Sequence, residues 1–446
     1  MTIRFDDAWA KALEVAKQAA ASTHLDVVLV RDILGRVSVV LDDSAGDPPT
    51  GSLVEDLGVK LAAEAGPFIM SAPVTLASTL FAPDQVLHAR DLVTVQDPAG
   101  DGGHVSTLER GVVGAEWLHP RPEWGHERNN RVVLYGFKGG VGRSTATFML
   151  AQHLAGQGHC VLAVDLDLES PGLGALLQSD DDLPNYGLVD HLAESAVGNE
   201  DGLDLVTKSK TVRVSGNGEV WVAPAGGRPR KGYDYLAKLN RAYFDLPGGD
   251  AEERPIGLAR RLEAAVHDCE QQVARRSRQP DVVLLDSRAG IHDIAAIAIT
   301  QLGDLSLLFG SDSVPTWNGY RALFQQWSQI PERARAIRER LRMVAAMVPR
   351  DRREGYLEVF RDHSQGCFAA TLYDDVPSGS DLEADAELFN PAPDDDAAPH
   401  APLPILFIPE LVGLDPAARR NWHEIDPSAY STFVDTATDL ILGERS

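Results

Sequence analysis

One stretch, RVVLYGFKGGVGRSTATFMLAQHLAGQG from Arg131 to Gly158, constrains this chain more than any other. An apolar run, Val132–Tyr135, enters a glycine-rich turn, and a helical period begins at once after it, ending near Gly156 or Gly158. Gly139, Gly140 and Gly142 let the backbone curl so that successive N–H groups point into one concave nest. The new helix adds its positive N-terminal end. Ser144, just inside the helix, is placed to ligate Mg2+, and Thr145 to reach an inner phosphate. A glycine turn alone would be weak evidence. Strand, glycines, Lys138, Arg143 and the Ser-Thr pair together are the pattern of a phosphate-binding loop.

The runs around this segment set the fold class. Cys160–Val164, Val220–Val222, Val282–Leu285, Leu305–Phe309, Met343–Ala346 and Ile405–Ile408 are mostly continuous apolar stretches between helical periods. Strands buried on both faces of a parallel sheet look like this. The expectation is an α/β fold, a doubly wound and mostly parallel sheet over residues 131–446, with a small N-terminal α/β domain at 1–95. In that domain Asp6 and Asp7 cap a helix over Ala8–Ala20. A hairpin follows from Asp26–Val30 and Val37–Leu41, then a helix over Ser52–Ala65. The domain clusters no nucleophiles, metal ligands or glycines, and reads as a structural or partner-docking module. Residues 96–130, rich in Pro, Gly and Asn, read as a linker with a docking element at Gly111–Leu118. The acidic, proline-rich stretch at 377–402 reads as a mobile surface insertion.

KGGVGRST resembles the deviant Walker A loop of the ParA/MinD group of P-loop ATPases, whose pattern is KGGxGK followed by Ser or Thr. The resemblance spans roughly residues 131–446 and implies a fold, a cofactor pair of ATP and Mg2+, and a set of roles. Lys138 matches the signature lysine that reaches across a nucleotide-sandwich dimer to the partner's phosphates. Gly139, Gly140, Val141, Gly142, Arg143, Ser144 and Thr145 line the nucleotide. Arg143 stands where the group has lysine; it keeps the charge, but its planar fork places a γ-phosphoryl group differently. In CVLAVDLDLESPGLGALL, Asp167 matches the residue that orients the attacking water, and Asp165 a supporting residue near the metal. The lesser alternative is that both are solvated acids that cap the next helix. In PDVVLLDSRAGIHD, Asp286 ends a Walker B-like strand and belongs to the Mg2+ site with Ser144. Arg288 replaces the group's proline there. Either it approaches phosphates or a partner, or it stays in solvent and neutralises Asp286 or Asp293. VWVAPAGG and ILFIPELVG resemble two late strand segments, which puts Pro409 and Glu410 near adenine.

Charge narrows the choice of partner. With 41 Lys and Arg against 66 Asp and Glu, the net charge is −25. Non-specific capture of DNA or anionic lipid needs a positive field, so a ParA-like partitioning role is disfavoured. RPRK at 228–231 is a local basic run, and ERARAIRERLR at 332–342 reads as a helix with a solvated face. The C-terminal SAYSTFVDTATDLILGERS has an apolar stripe with almost no positive charge, the pattern of a helix packed on the sheet, not a membrane anchor. No apolar run reaches the ~18 residues of a membrane span, and MTIRFDDAWAK is not a signal peptide. Cys160, Cys269 and Cys367 lie in no metal or disulfide spacing. The expectation is a cytoplasmic ATP-dependent homodimer that switches a protein partner, met through the N-terminal domain. Bacterial signalling or phage defence is a setting reached by analogy alone. The alternative is a nucleotide-binding sensor module without turnover.

Overall fold

The computed structural model describes residues 3–44, 49–89, 91–95, 103–111, 113–126, 129–212, 214, 216–246, 255–375, 388–409 and 427–443. The chain divides into two compact units, Met1–His119 and Pro120–Ser446.

The first unit is built on a five-stranded sheet. Its elements are α1 (Phe5–Thr23), β1 (Val27–Arg31), β2 (Val37–Leu41), α2 (Gly51–Ala65), β3 (Ile69–Leu76), α3 (Asp84–Leu87), β4 (Leu92–Val95) and β5 (Val105–Glu109). The strand order is β3-β2-β1-β5-β4, with the expected antiparallel β1–β2 hairpin. The apolar spacing of α1 and α2 buries Ala12, Val15, Ala16, Ala19, Leu57 and Leu61 against one sheet face. Val28, Val40, Ala77 and Leu108 form a smaller cluster of their own. The linker expected from residue 96 onward is not what the structure places at Val105–Glu109. That segment is β5, which pairs in parallel with β1 and antiparallel with β4, and the unit extends to His119. Pro, Gly and Asn density marks turns, and it hid a five-residue strand whose partners are remote in sequence.

The second unit is a doubly wound α/β domain. It contains β6 (Asn130–Gly136), α4 (Arg143–Gly156), β7 (Cys160–Asp165), α5 (Leu173–Leu177), α6 (Leu188–Ser195), β8 (Thr207–Lys208) and β9 (Glu219–Ala223). Then come α7 (Tyr235–Ala242), α8 (Leu258–Arg276), β10 (Val282–Asp286), α9 (Asp293–Ile297), β11 (Leu305–Gly310), α10 (Val314–Ser328) and α11 (Pro331–Arg338). The unit ends with β12 (Leu341–Val348), α12 (Arg353–Ala369), β13 (Leu403–Leu406) and α13 (Ser431–Leu442). The strand order is β13-β12-β11-β6-β10-β7-β9-β8, parallel throughout except for the edge strand β8. Every residue of β7 and β10 is buried, as their unbroken apolar runs require. The chain leaves β6 toward β7 on one side and later adds β11, β12 and β13 on the other. The switch point of the sheet therefore lies at the carboxyl end of β6, where open α/β sheets bind ligands.

Two further expectations change. The basic run 332–342 is not one solvated helix. Helix α11 stops at Arg338, whose guanidinium is buried and donates two 2.9 Å bonds to Asp374, and Leu341 begins β12. Of the expected mobile insertion at 377–402, residues 377–387 lie outside the described residues, but 388–402 is packed. Ala398 and His400 are buried, Tyr373 Oη lies 2.6 Å from His400 Nδ1, and the Met343 N–H donates to the Pro399 carbonyl. Alanines and one histidine inside an acidic stretch made this core contact invisible to composition. Helix α13 buries Phe433, Val434, Ala437 and Ile441, as its apolar stripe predicts.

Candidate functional site

The three motif-bearing strands are neighbours. β10 lies between β6 and β7, with Asp286 in register with Leu134 on one side and Asp165 on the other. Adjacency alone brings the glycine loop, Asp286, Asp165 and Asp167 to one end of the sheet. Gly140 and Gly142 have φ of +78° and +82°, a region closed to most side chains, and Gly142 is the N-cap residue of α4. Lys138, Gly139 and Gly140 are exposed, Val141, Gly142, Ser144 and Thr145 are partly buried, and Arg143 is buried. The loop is seated from below. The Gly290 N–H donates 3.3 Å to the Gly136 carbonyl, and the Phe137 ring lies so close to Gly319 of α10 that a Cβ there would sit 2.3 Å from it.

Arg143 does not project into the nest alone. Its Nη1 donates to the Ser287 carbonyl, and its Nη2 lies 3.7 Å from Asp167 Oδ2. Asp167 also accepts the Ser170 N–H at 3.2 Å. Burial raises the Asp167 carboxyl above its usual range, and the charges of Arg143 and Arg288 oppose that rise. Asp165 spends its oxygens on backbone: Oδ1 accepts the Asp167 N–H, and Oδ2 accepts those of Gly172 and Leu173, which opens α5. It thus does the helix-capping work weighed from the sequence, and it also faces Asp286 across the ladder. Burial and the Asp286 charge both push its carboxyl up.

Asp286 is different. It is buried, its Oδ1 has no hydrogen-bond partner among the described residues, and the Ser144 hydroxyl stands beside its carboxylate. Burial pushes it up to about 6, and Arg143 and Ser144 hold it from going further. An orphaned buried carboxylate oxygen beside a helix-start hydroxyl fits a hard divalent cation such as Mg2+, which Asp286 and Ser144 would hold together with substrate phosphates. Among the described residues, no group of three His, Cys, Asp or Glu side chains is placed to hold a metal ion by itself.

The structure adds residues that sequence reading passed over. Glu169 continues the alternation of Asp165 and Asp167, and that spacing was its only signal. Its Oε2 pairs with Arg288 Nη1, and its Oε1 accepts from the Tyr243 hydroxyl and lies 3.2 Å from His292 Nε2. Of the base-site candidates, Pro409 is exposed beyond β13, and Glu410 lies outside the described residues.

The family model of the CobQ/CobB/MinD/ParA nucleotide-binding domain matches residues 132–376, more than half of the chain. The chain belongs to that family. The match begins at the second residue of the buried part of β6 and takes in the glycine loop, β7 and β10, the elements that meet at the site. Among solved structures with the family fold, the MinC:MinD cell division complex of Aquifex aeolicus is 18% identical. That match covers 70% of this chain and 96% of the other, with a TM-score of 0.41. The pNOB8 ParA structure is 16% identical over 71% of this chain and all of its own, also with a TM-score of 0.41. The Pyrococcus furiosus cell division ATPase MinD is 20% identical over 50% of this chain and 73% of its own, with a TM-score of 0.32. No curated protein matches the chain. As a CobQ/CobB/MinD/ParA member the chain carries a nucleotide-binding domain, and no described helix is long and apolar enough to cross a membrane.

Proposed function

We propose that the protein is an ATP-driven switch: it binds Mg-ATP at the loop Lys138–Thr145, dimerises around it, hydrolyses it slowly and thereby regulates a protein partner. The observation that carries this reading is the meeting of the glycine nest, Ser144 and the unpartnered Asp286 oxygen at the switch point of the sheet. Backbone N–H groups of Gly139, Gly140 and Gly142 with Arg143 would hold phosphates, and Ser144 and Asp286 would hold Mg2+. The metal would neutralise phosphate charge there. Asp167, next to Arg143 and fixed by the Ser170 N–H, is the group suited to orient a water. The N-terminal unit, with Ile33, Leu34 and Phe81 exposed, is the part suited to a protein partner.

Ser144→Ala tests the binding step. Loss of the hydroxyl removes a metal ligand and an Asp286 contact, so affinity for Mg-ATP falls about tenfold or more by calorimetry. Unchanged affinity would remove the loop from nucleotide binding.

Lys138 supports the dimer. It is exposed and precedes the glycines, and Arg143 already supplies a cation within the chain. A lysine from a second protomer is attracted to the triphosphate state more than to the diphosphate state, and that difference drives a nucleotide-dependent equilibrium. Wild type should be monomeric alone and dimeric with a non-hydrolysable ATP analogue, and Lys138→Ala should bind the analogue yet stay monomeric. Light scattering decides this, and a variant that dimerises like wild type takes Lys138 out of the mechanism. Because each protomer carries −25, the dimer should strengthen from very low to moderate salt.

A sensor module without turnover is the second reading. Its support is the engagement of Arg143 with the Ser287 carbonyl, where the family pattern has a lysine.

A further inference from the structure

Arg288 occupies a place where the related motif has proline, and the fold surrounds it with anchors. Glu169, in the loop after β7, pairs with Arg288 Nη1. Glu169 is itself held by the Tyr243 hydroxyl, at the end of α7, and by His292, at the start of α9. His292 Nδ1 accepts the Ile294 N–H, so its proton sits on Nε2 and points at Glu169. Burial alone would raise the Glu169 carboxyl, but the bonds from His292, Tyr243 and Arg288 outweigh it and hold the carboxyl down at about 2. Two elements, the end of α7 and the start of α9, thus fix one carboxylate, and that carboxylate fixes one guanidinium.

The backbone that carries the anchored guanidinium runs beside the phosphate loop. The segment 287–290 that carries it is tied to both flanks of the loop, the end of β6 and the start of α4. Arg143 donates to the Ser287 carbonyl, the Gly290 N–H to the Gly136 carbonyl, and the Tyr135 hydroxyl to the Gly290 carbonyl at 3.2 Å. The positive charge of Arg288 reaches Asp167, alongside that of Arg143. A guanidinium has five N–H donors in a rigid fork, so one held by Glu169 through Nη1 keeps donors for a phosphate oxygen. Arginine placed on a transferring phosphoryl group from within the same chain is a known device for stabilising its charge.

We propose that Arg288 is a second cation for the terminal phosphate of a bound nucleoside triphosphate, acting within the same chain as Arg143 and held in place by Glu169, Tyr243 and His292. The inference rests on the nucleotide-binding reading above and deepens it: Arg288 makes the site prefer a triphosphate to a diphosphate. Glu169 is a positioning residue, because it acts through Arg288. Lysine would not replace Arg288 fully, since a compact ammonium on a flexible stem is not pre-aimed by one carboxylate.

Calorimetric titration of the full chain with a non-hydrolysable ATP analogue and with ADP, each with Mg2+, tests this without turnover. Arg288→Ala should weaken the analogue about tenfold or more and leave ADP within about threefold. Arg288→Lys should recover part of that loss. Glu169→Gln should lower analogue affinity in the same direction, with ADP unmoved, because the guanidinium loses its anchor. An Arg288→Ala protein that loses both ligands equally, or neither, overturns the role of Arg288 while wild-type binding keeps the nucleotide reading intact. Wild type that binds neither ligand overturns both. Unchanged analogue affinity in Glu169→Gln removes Glu169 from the arrangement.

Discussion

Arg131→Ala is expected to lower the unfolding free energy of the second unit by about 3–5 kcal/mol. Arg131 is the second residue of the central strand β6, and its side chain is fully buried. Its Nε and Nη2 donate to the two oxygens of Glu270 at 2.8 and 3.1 Å, and its Nη1 donates to Glu263. Both carboxylates lie on α8 and are buried as deeply as the arginine. His126 and His267 border them, with His126 Nε2 at 2.9 Å from Glu263 Oε1. Truncating the arginine leaves two adjacent carboxylates in a dry site with no guanidinium between them. That is the costly way to break a buried ion cluster, because desolvation has been suffered and the compensating attraction is gone. The triple variant Arg131→Met, Glu263→Gln, Glu270→Gln removes the charges together and should lose less than Arg131→Ala alone. Urea unfolding followed by tryptophan fluorescence reports both, since Trp221, Trp317 and Trp327 are buried in this unit. If the single variant unfolds at the wild-type midpoint, the cluster contributes no net stability.

Asp167→Ala should reduce ATP hydrolysis about 10²–10⁴-fold, the usual contribution of a positioned proton-accepting side chain, while nucleotide binding persists. The carboxylate lies just beyond β7, beside Arg143 at 3.7 Å, and a backbone N–H fixes its other oxygen. Asp167→Asn separates charge from scaffolding, because the amide oxygen can still accept the Ser170 N–H. If Asp167 only shapes its loop, Asn behaves as wild type and Ala does not. If it orients water, both fail in phosphate release and both still bind the ATP analogue. A rate within about threefold of wild type in both variants would leave the sensor reading, in which turnover has no part.

Much of the central domain was legible because its signals are local. The unbroken apolar runs at Val132–Tyr135, Cys160–Val164 and Val282–Leu285 could be satisfied only by strands covered on both faces, and β6, β7 and β10 lie over them. The glycine loop needs only its own backbone and the helix that starts at Arg143, so eight consecutive residues specify it. The stripe of Phe433, Val434, Ala437 and Ile441 likewise announces a packed helix before any partner is known.

Pairing order and charge partners were decided by tertiary structure. No local period tells that β10, more than a hundred residues after β7, inserts between β7 and β6, yet that insertion brings Asp286 into register with Asp165. Strand β5 sits in turn-like composition and is a strand because β1 and β4 offer it ladders. Arg288 was left between phosphate, partner and solvent, since an arginine's partner depends on what the fold brings within a few ångströms. Here it is Glu169, itself bound by Tyr243, 74 positions later. Backbone periodicity is a property of neighbours along the chain and can be read there, whereas an ion pair between remote loops exists only once the sheet has placed them side by side.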